Sequence, residues 1–205
     1  MLIGINGKIG SGKDTLADMF KCIAPEMNFE VHKFAGKLKE TASLITGIPV
    51  ELFEDQEFKK TFLPSEWDSE VITYRYDPYI DQQVETVNVL QMTVRDLLQK
   101  LGTEAVRNGL HVNTWVNATF ANFSGDKNWI ITDVRFPNEA EAIKKRNGIL
   151  INIHRESGNT IGTSHVSETA LDGTVNWDYI VDNNYDLHLL KEHARYILKK
   201  HLVLT

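Results

Sequence analysis

The chain has 205 residues, 42% of them hydrophobic, and a formal net charge of −6, which suits one α/β domain with an elaboration. The acidic balance and the lack of a basic stripe argue against a nucleic-acid-binding protein. No run of about 18 apolar residues could span a bilayer, and no signal segment precedes the first strand. The single cysteine, Cys22, cannot form an internal disulfide, so we expect a buried structural thiol in a cytoplasmic protein.

The first predicted elements surround a glycine-rich turn. Residues 2–5 form a short apolar strand, the spacing G-x-x-x-x-G-K occupies residues 7–13, and a helix follows to about residue 23. Glycines let backbone N–H groups converge on phosphate oxygens, and the helix N-terminus adds partial positive charge. A strand before this spacing and a helix after it indicate a nucleotide-phosphate loop rather than a chance turn. The residues assigned to this loop are Gly7, Lys8, Gly10, Ser11, Gly12 and Lys13.

Asp14 departs from the usual pattern, in which Ser or Thr follows the lysine and ligates Mg²⁺. A carboxylate is a hard oxygen donor, so we expect Asp14 to hold Mg²⁺ directly or through a coordinated water. The alternative is that Asp14 only complements the helix N-terminus. Thr15 then lies one residue further into the helix, where its hydroxyl suits an α-phosphate contact.

The next segment carries an irregular insertion. Its strands are rich in β-branched and aromatic residues and are separated by a polar turn, which predicts a hairpin that projects from the core. We expect residues 48–90 to be an insertion within a single domain that spans the whole chain. The predicted elements are strand 29–34, helix 35–46, short helix 51–60 and hairpin strands 71–76 and 84–90.

Beyond the hairpin, strands alternate with helices. This alternation predicts a mostly parallel sheet with right-handed crossovers, and ligands should bind at the carboxyl ends of its strands. Thr93 is the predicted N-cap of the first of these helices, and Gly109 closes it. The predicted elements are helices 93–108, 112–123, 137–147 and 187–202, with strands 129–133, 149–153 and 177–181.

Three charged residues follow predicted strands. Asp133 closes an apolar strand, where phosphate-loop enzymes place an acid that orients Mg²⁺ and its waters; ordinary turns also carry acids there. Arg135 could span donor and acceptor phosphates, or it could be an exposed loop arginine. Arg155 could lie over adenine or reach the phosphates, or it could be a surface charge.

A polar stripe lies on the predicted helix 93–108. Arg95, Gln99 and Thr103 follow at steps of four and hence share one helical face. Such a stripe is usually a solvated surface, but an arginine suits a phosphate and an amide could read a base edge. Trp115, on the next helix, could stack on a base, although periodicity alone favours a core tryptophan.

Several segments together resemble the phage-type deoxynucleoside monophosphate kinases. The similarity extends from residue 2 to about residue 182, and residues 48–90 match poorly. Asp96 stands where a basic residue is frequent in that family, which puts a second cation beside Arg95 in doubt. The matching segments are residues 7–15, 34–39, 94–103, Trp115, 133–135 with Glu139, 154–155 and 165–168.

The resemblance implies an adenylate-kinase-like α/β fold, a three-layer phosphate-loop architecture with a lid at about residues 156–176. It implies transfer of the ATP γ-phosphoryl group to a deoxynucleoside 5′-monophosphate. Residues 7–15 and Arg155 would hold ATP, Asp14 and Asp133 would serve Mg²⁺, and Lys13, Asp133 and Arg135 would be catalytic. The implied acceptor site comprises Lys39, Arg95, Gln99, Gly102, Thr103, Trp115 and Glu139.

The sequence leaves rival functions open. Another small-molecule kinase of this fold, such as a phosphomevalonate or dephospho-coenzyme A kinase, would share the loop. A phosphate-loop module that hydrolyses ATP to switch a partner would show ATPase activity without an acceptor product, and the stripe from Arg95 to Thr103 counts against it. A homodimer also stays open, and small nucleotides are the only partners that the residues themselves predict.

Overall fold

The computed structural model describes residues 1–156, 171, 173 and 175–202. The predicted lid, apart from a few residues, and the matching segment 165–168 lie outside these residues. The chain forms two compact units. We call Met1–Lys37 with Val112–Thr205 the sheet unit and Leu38–His111 the hairpin unit. The single domain with an insertion at 48–90 stays a prediction.

The sheet unit is built on five strands in the order β2-β5-β1-β6-β7, and every adjacent pair is parallel. β1 is the central strand, where Ile3 is aligned with Ile130 on one side and with Ile149 on the other. The predicted mostly parallel sheet is therefore confirmed. The strands are β1 (Leu2–Asn6), β2 (Glu30–His32), β5 (Trp129–Ile131), β6 (Ile149–His154) and β7 (Tyr179–Asp182).

Helices cover both faces of this sheet because its strands alternate their buried side chains between two cores. Ile3 and Ile5 share one core with Phe20 and Ala194, whereas Leu2 lies in the other core. None of the helices in the described ranges has both the length and the apolar content needed to cross a bilayer. The helices with residues in this unit are α1 (Lys13–Ile23), α2 (Phe34–Thr46, which runs on into the hairpin unit), α4 (Thr114–Phe120), α5 (Pro137–Lys144) and α6 (Leu187–His201).

The hairpin unit contains α3 (Val94–Gln99) and the predicted hairpin, β3 (Ser69–Asp77) paired antiparallel with β4 (Gln82–Leu90). Every residue of the two strands is exposed except Asp77, which is partly exposed. The core of the unit lies elsewhere, among residues from both sides of the hairpin in sequence. Its buried residues are Ala42, Phe53, Leu63, Val94 and Leu97.

Thr93 caps α3 as predicted. Its hydroxyl accepts a hydrogen bond from the Asp96 amide at 3.1 Å, and the Asp96 carboxylate accepts one from the Thr93 amide at 3.0 Å. The Thr93 hydroxyl also donates to Asp96 Oδ2 at 2.6 Å, and this bond, followed by the one from the Thr93 amide, lowers the pKa of Asp96. Asp96 thus completes a capping box with Thr93.

Two predictions about local structure are wrong. The helix expected at 51–60 is two separate 3₁₀ turns, Val50–Glu54 and Phe58–Lys60. The Asp55 carboxylate accepts hydrogen bonds from the next backbone amides, at 2.7 Å and 3.0 Å, and this local turn competes with a continuous helix. Cys22 is exposed rather than buried, because it lies two positions after Phe20 and so faces away from the core.

Candidate active site

The phosphate loop, residues 7–13, connects the central strand β1 to α1. Gly10 and Gly12 have φ values of +78° and +98°, a left-handed backbone that favours glycine. The Lys13 ammonium folds back over the loop and donates to the carbonyl oxygens of Gly7 at 2.6 Å and Lys8 at 2.7 Å. The sequence-predicted loop therefore has its lysine beside its own backbone, where phosphate oxygens would be bound.

Asn183, which directly follows β7, holds this loop from the neighbouring part of the sheet unit. Its side-chain amide donates to the Ser11 carbonyl oxygen at 2.8 Å, and Asn183 itself is buried. A Cβ atom at Gly12 would lie 2.4 Å from that amide nitrogen, so only glycine fits there. Sequence reasoning missed Asn183, although ligands are expected at the end of every parallel strand.

Four charged groups surround the Lys13 ammonium. Burial is the largest cause that lowers the pKa of Lys13, and Arg135 lowers it further, whereas Asp14 and Asp133 raise it. Lys33, which the sequence analysis did not single out, lowers it as well. The strand ends therefore bring three cations and two carboxylates within electrostatic range of one another, an arrangement suited to a polyanionic ligand.

Asp14 is oriented by a neighbour that the sequence analysis also missed. The buried Thr132 hydroxyl donates to Asp14 Oδ1 at 3.0 Å, and Lys33 Nζ lies 3.6 Å from the same oxygen. The Asp14 carboxylate is nevertheless 69% exposed. The Asp14 carboxylate is thus oriented through one oxygen and remains accessible from solvent. A metal ligand at the start of α1 would need both properties.

Asp133 has a different environment. It is 8% exposed, and its two carboxylate oxygens accept hydrogen bonds from the backbone amides of Phe34 at 2.7 Å and Ala35 at 2.9 Å. The residue therefore anchors the start of α2 to the end of β5. Its predicted catalytic and metal roles remain predictions, and these contacts favour an indirect, second-sphere position over direct coordination.

Arg135 is exposed on the loop between β5 and α5. Glu139 shapes that loop, because its Oε2 accepts hydrogen bonds from the amides of Arg135 at 2.8 Å and Phe136 at 3.1 Å. Glu139 is only 2% exposed. Its implied acceptor role stays a prediction, while these contacts position the backbone that carries the Arg135 guanidinium.

The donor set fits Mg²⁺ in part. Among the described residues, no group of three or more His, Cys, Asp or Glu side chains could enclose a metal ion. Mg²⁺, however, is usually held by one or two carboxylates together with substrate phosphates and water. Asp14, exposed at one edge and fixed by Thr132, is the residue whose chemistry fits this mode.

A cavity of about 570 Å³ opens beside the phosphate loop. Arg155, predicted to contact ATP, lines it together with Tyr185, which is 66% exposed. A guanidinium and a phenol ring are both suited to stacking on a nucleobase. Sequence reasoning missed the segment after β7. The lining residues are Gly10, Gly12, Lys13, Asp14, Thr15, Arg155, Asn183, Tyr185, Asp186 and Leu187.

The predicted acceptor residues belong to both units. Arg95 and Gln99 are exposed on α3, as the stripe requires. From Lys100 to Asn108 the helix continues as a π-helix. Because a π-turn closes i→i+5 hydrogen bonds, Gln99 and Thr103 lie on a wider helical turn than Arg95 and Gln99, and the shared face of the three residues stays a prediction. Gly102 is buried, and a Cβ atom there would lie 2.8 Å from the Leu38 side chain.

Lys39, the remaining acceptor candidate in the hairpin unit, is buried. Its ammonium donates to Glu54 Oε1 at 2.5 Å. In the sheet unit, Trp115 lies on α4 and is 7% exposed. That burial agrees with the core tryptophan that periodicity favours, and stacking on an acceptor base stays a prediction.

Comparisons with known proteins give the same family that the resemblance implied. A model of the deoxynucleotide monophosphate kinase family matches residues 47–194. The chain is 29% identical to the deoxynucleoside-5′-monophosphate kinase of Escherichia phage T5, over 83% of this chain and 85% of that protein. It is 30% identical to an Acanthamoeba polyphaga mimivirus protein provisionally named deoxynucleotide monophosphate kinase, over 90% and 89% of the two chains. The chain belongs to the deoxynucleotide monophosphate kinase family.

Proposed function

We propose that this protein transfers the γ-phosphoryl group of ATP to a deoxynucleoside 5′-monophosphate, giving ADP and the deoxynucleoside diphosphate. The observation that carries the proposal is the cluster of Lys13, Lys33 and Arg135 beside the phosphate loop. Three cations beside a glycine-rich loop at the start of a helix match the charge of a triphosphate. Family membership supplies the acceptor class.

The donor nucleotide would occupy the phosphate loop and the adjoining cavity. Residues 7–15 would bind the phosphates, with the Lys13 ammonium leaving the loop carbonyls for the β- and γ-phosphate oxygens. Arg155 and Tyr185 would contact the base from the cavity wall. The buried Asn183 amide would keep the loop backbone in its phosphate-binding shape.

Magnesium would be held by Asp14 directly, and Asp133 would act on it indirectly. Bound Mg²⁺ would neutralise charge on the bridging β- and γ-phosphate oxygens. Thr132 would hold the Asp14 carboxylate in one orientation so that little rotational freedom is lost when the metal and nucleotide bind.

Transfer itself requires little covalent chemistry from the protein. An acceptor phosphate oxygen forms a bond to the γ-phosphorus as the bond from that phosphorus to the bridging β-γ oxygen breaks, and ADP leaves with that electron pair. Lys13 and Arg135 would stabilise the charge on the transferring group, and positioning would supply most of the rate. Water must be excluded, because an accessible water would otherwise take the phosphoryl group.

The acceptor monophosphate would be bound by the residues that the family resemblance implies. Lys39 and Arg95 supply positive charge for the phosphate, and Gln99 supplies an amide for the base edge. Gly102, Thr103, Trp115 and Glu139 are the remaining residues of the proposed set. Discrimination among bases would arise from these side chains.

The experiment that tests the proposal is a coupled assay of ADP release across the common deoxynucleoside and nucleoside monophosphates. We expect phosphorylation of one or more deoxynucleotides and little ADP release without an acceptor. The same assay with phosphomevalonate and dephospho-coenzyme A tests the other kinases that the fold could host. ATP hydrolysis that no acceptor stimulates would instead indicate a switch module and would overturn the proposal.

A further inference from the structure

The hairpin unit contains a buried cation whose counter-ion is exposed. Lys39 Nζ lies 2.5 Å from Glu54 Oε1, and the two side chains are 10% and 55% exposed, respectively. Burying an ammonium group without an anionic partner is costly, whereas a half-exposed carboxylate keeps much of its hydration. The Lys39 ammonium therefore needs an anion at this position, whereas the Glu54 carboxylate would lose little if water replaced the lysine as its partner.

The segment that carries Glu54 also contacts the second predicted cation of the acceptor site. Gln56 Oε1 accepts a hydrogen bond from Arg95 Nη2 at 3.4 Å. Between the two residues, Asp55 binds the backbone amides of Glu57 and Phe58 and so fixes the direction of the chain. One short turn thus presents side-chain oxygens to cations on two different helices.

We propose that Glu54 is an exchangeable counter-ion of Lys39, and that the phosphate of the acceptor nucleotide replaces it. The inference rests on the proposed function, since it assigns Lys39 to the acceptor phosphate. A nucleotide monophosphate carries up to two negative charges and three acceptor oxygens, so it can satisfy the Lys39 ammonium as well as a carboxylate does. The Gln56 amide, a neutral and long contact, would release Arg95 to the same phosphate at little cost.

This exchange has a consequence for specificity. Each acceptor must displace Glu54, so a ligand without a phosphate gains nothing at Lys39 and leaves the ion pair intact. Glu54 would therefore lower the affinity for every acceptor while holding the buried lysine side chain in place before binding. Glu54 is a positioning residue in this scheme, since it acts through Lys39.

The test is the substitution Glu54→Gln, which removes the charge and keeps the shape of the side chain. Binding of a deoxynucleoside monophosphate is measured by calorimetry without ATP. We expect it to tighten by about three- to tenfold, the size of effect that a partly exposed ion pair can have. Binding of the matching deoxynucleoside, which has no phosphate, should not change. Thermal unfolding should show a lower Tm without ligand and a larger rise on adding the nucleotide.

Two further variants serve as controls. Glu57→Gln removes a carboxylate from the same segment. The ion pair that it breaks, with Lys60, lies at the surface, where the two side chains are 81% and 62% exposed. Nucleotide binding should therefore stay unchanged. Lys39→Met should weaken nucleotide binding, and adding Glu54→Gln to it should give no further tightening. This double-mutant cycle isolates the coupling between the two residues.

Unchanged or weaker nucleotide binding by Glu54→Gln, with a folded protein, would overturn the inference. Tighter binding that persists in the Lys39→Met background would overturn it too, because Glu54 would then act elsewhere. The proposed function fails separately: it falls if the wild-type protein phosphorylates no mononucleotide. Normal turnover together with a silent Glu54→Gln therefore removes the counter-ion role and leaves the kinase activity standing.

Discussion

The Asn183 side chain donates a hydrogen bond to the Ser11 carbonyl oxygen at 2.8 Å, across 172 positions of sequence. Asn183→Asp keeps the size of the side chain but sets a carboxylate against that carbonyl, so the phosphate loop should lose its support. We expect the KM for ATP to rise about tenfold, because the loss of one hydrogen bond costs about 1–1.5 kcal/mol. The KM for the acceptor should stay constant. Asn117→Asp, on the exposed side of α4, is the control. An unchanged KM for ATP would remove the loop-supporting role.

Thr132 is expected to set the magnesium requirement. Thr132→Val keeps the shape but removes the hydroxyl that donates to Asp14 at 3.0 Å. The Mg²⁺ concentration that gives half-maximal turnover should rise about tenfold or more, as is typical when a residue orienting a metal ligand is lost.

The matched control for that substitution is Thr119→Val. Thr119 is also buried, and its hydroxyl has no hydrogen-bond partner within the described part of the chain. Its replacement should leave the Mg²⁺ dependence unchanged. If both variants behave alike, Asp14 is not the metal ligand that Thr132 orients.

Lys13 and Arg135 should matter for turnover rather than for folding. Lys13→Ala and Arg135→Ala remove cations from the charge cluster at the strand ends, and each should lower kcat by roughly 10³-fold or more. Tm should change little for Arg135→Ala, since the side chain is exposed. Arg195→Ala, which breaks an exposed ion pair with Glu192, should keep full activity. Near-normal turnover of both Lys13→Ala and Arg135→Ala would rule out the proposed transfer mechanism.

ATP binding should depend on alkaline pH through Lys13. Burial, followed by Arg135, lowers the pKa of Lys13, whereas bound triphosphate favours the charged form and raises that pKa. Between the lowered pKa and the ordinary lysine value of about 10.4, binding should take up a proton, and affinity should fall by up to tenfold per pH unit. The pH dependence of folding without ligand has the opposite sign. Because the pKa of Lys13 is lower in the folded protein than in the unfolded chain, the unfolded chain binds this proton more tightly. The free energy of unfolding should therefore rise with pH between the two pKa values.

Calorimetry in two buffers with different ionisation enthalpies would measure this proton uptake directly. Lys13→Met should abolish it, because no titrating group is left at that position. Equal proton uptake by wild type and Lys13→Met would assign the pH dependence to another group.

The β3–β4 hairpin should be dispensable for the stability of its unit. Ser69 and Leu90 are paired at its base, so residues 70–89 can be replaced by Asn-Gly, a two-residue turn suited to that pairing. We expect a change in Tm of only a few degrees, because none of the removed residues is buried and surface changes cost little. Phe53→Ala, in the buried core, should cost about 3–5 kcal/mol by comparison. Loss of cooperative unfolding in the shortened protein would contradict the prediction.

The sequence predicted the elements whose signals are local. The phosphate loop, the parallel sheet, the hairpin and the Thr93 cap all follow from spacing, alternation or a single polar side chain. The prediction of a short helix at 51–60 was wrong because one side chain, Asp55, offers the backbone a competing turn. The change to π-helical hydrogen bonding at Lys100 was not predicted, because nothing in the spacing of polar residues reveals it.

The residues that sequence reasoning missed act through tertiary contacts. Thr132, Lys33 and Asn183 belong to no motif, and each becomes relevant only because a different strand end lies beside the phosphate loop. The expectation that ligands bind at the carboxyl ends of parallel strands places these residues at the right edge of the sheet. It does not tell which side chains reach the loop. Their distance in sequence from Lys13 and Asp14 hides the contacts from any local pattern.

The central position of β1 bears on how the protein is made. β1 is translated before the other strands of this sheet, yet both of its neighbours, β5 and β6, come much later in the sequence. β1 therefore has no hydrogen-bonded neighbours in the sheet until β5 and β6 have been synthesised. Contacts of such long sequence separation slow folding. Because the side-chain amide that supports the glycine-rich loop belongs to Asn183, a nascent chain can complete this loop only after β7 and Asn183 have been synthesised.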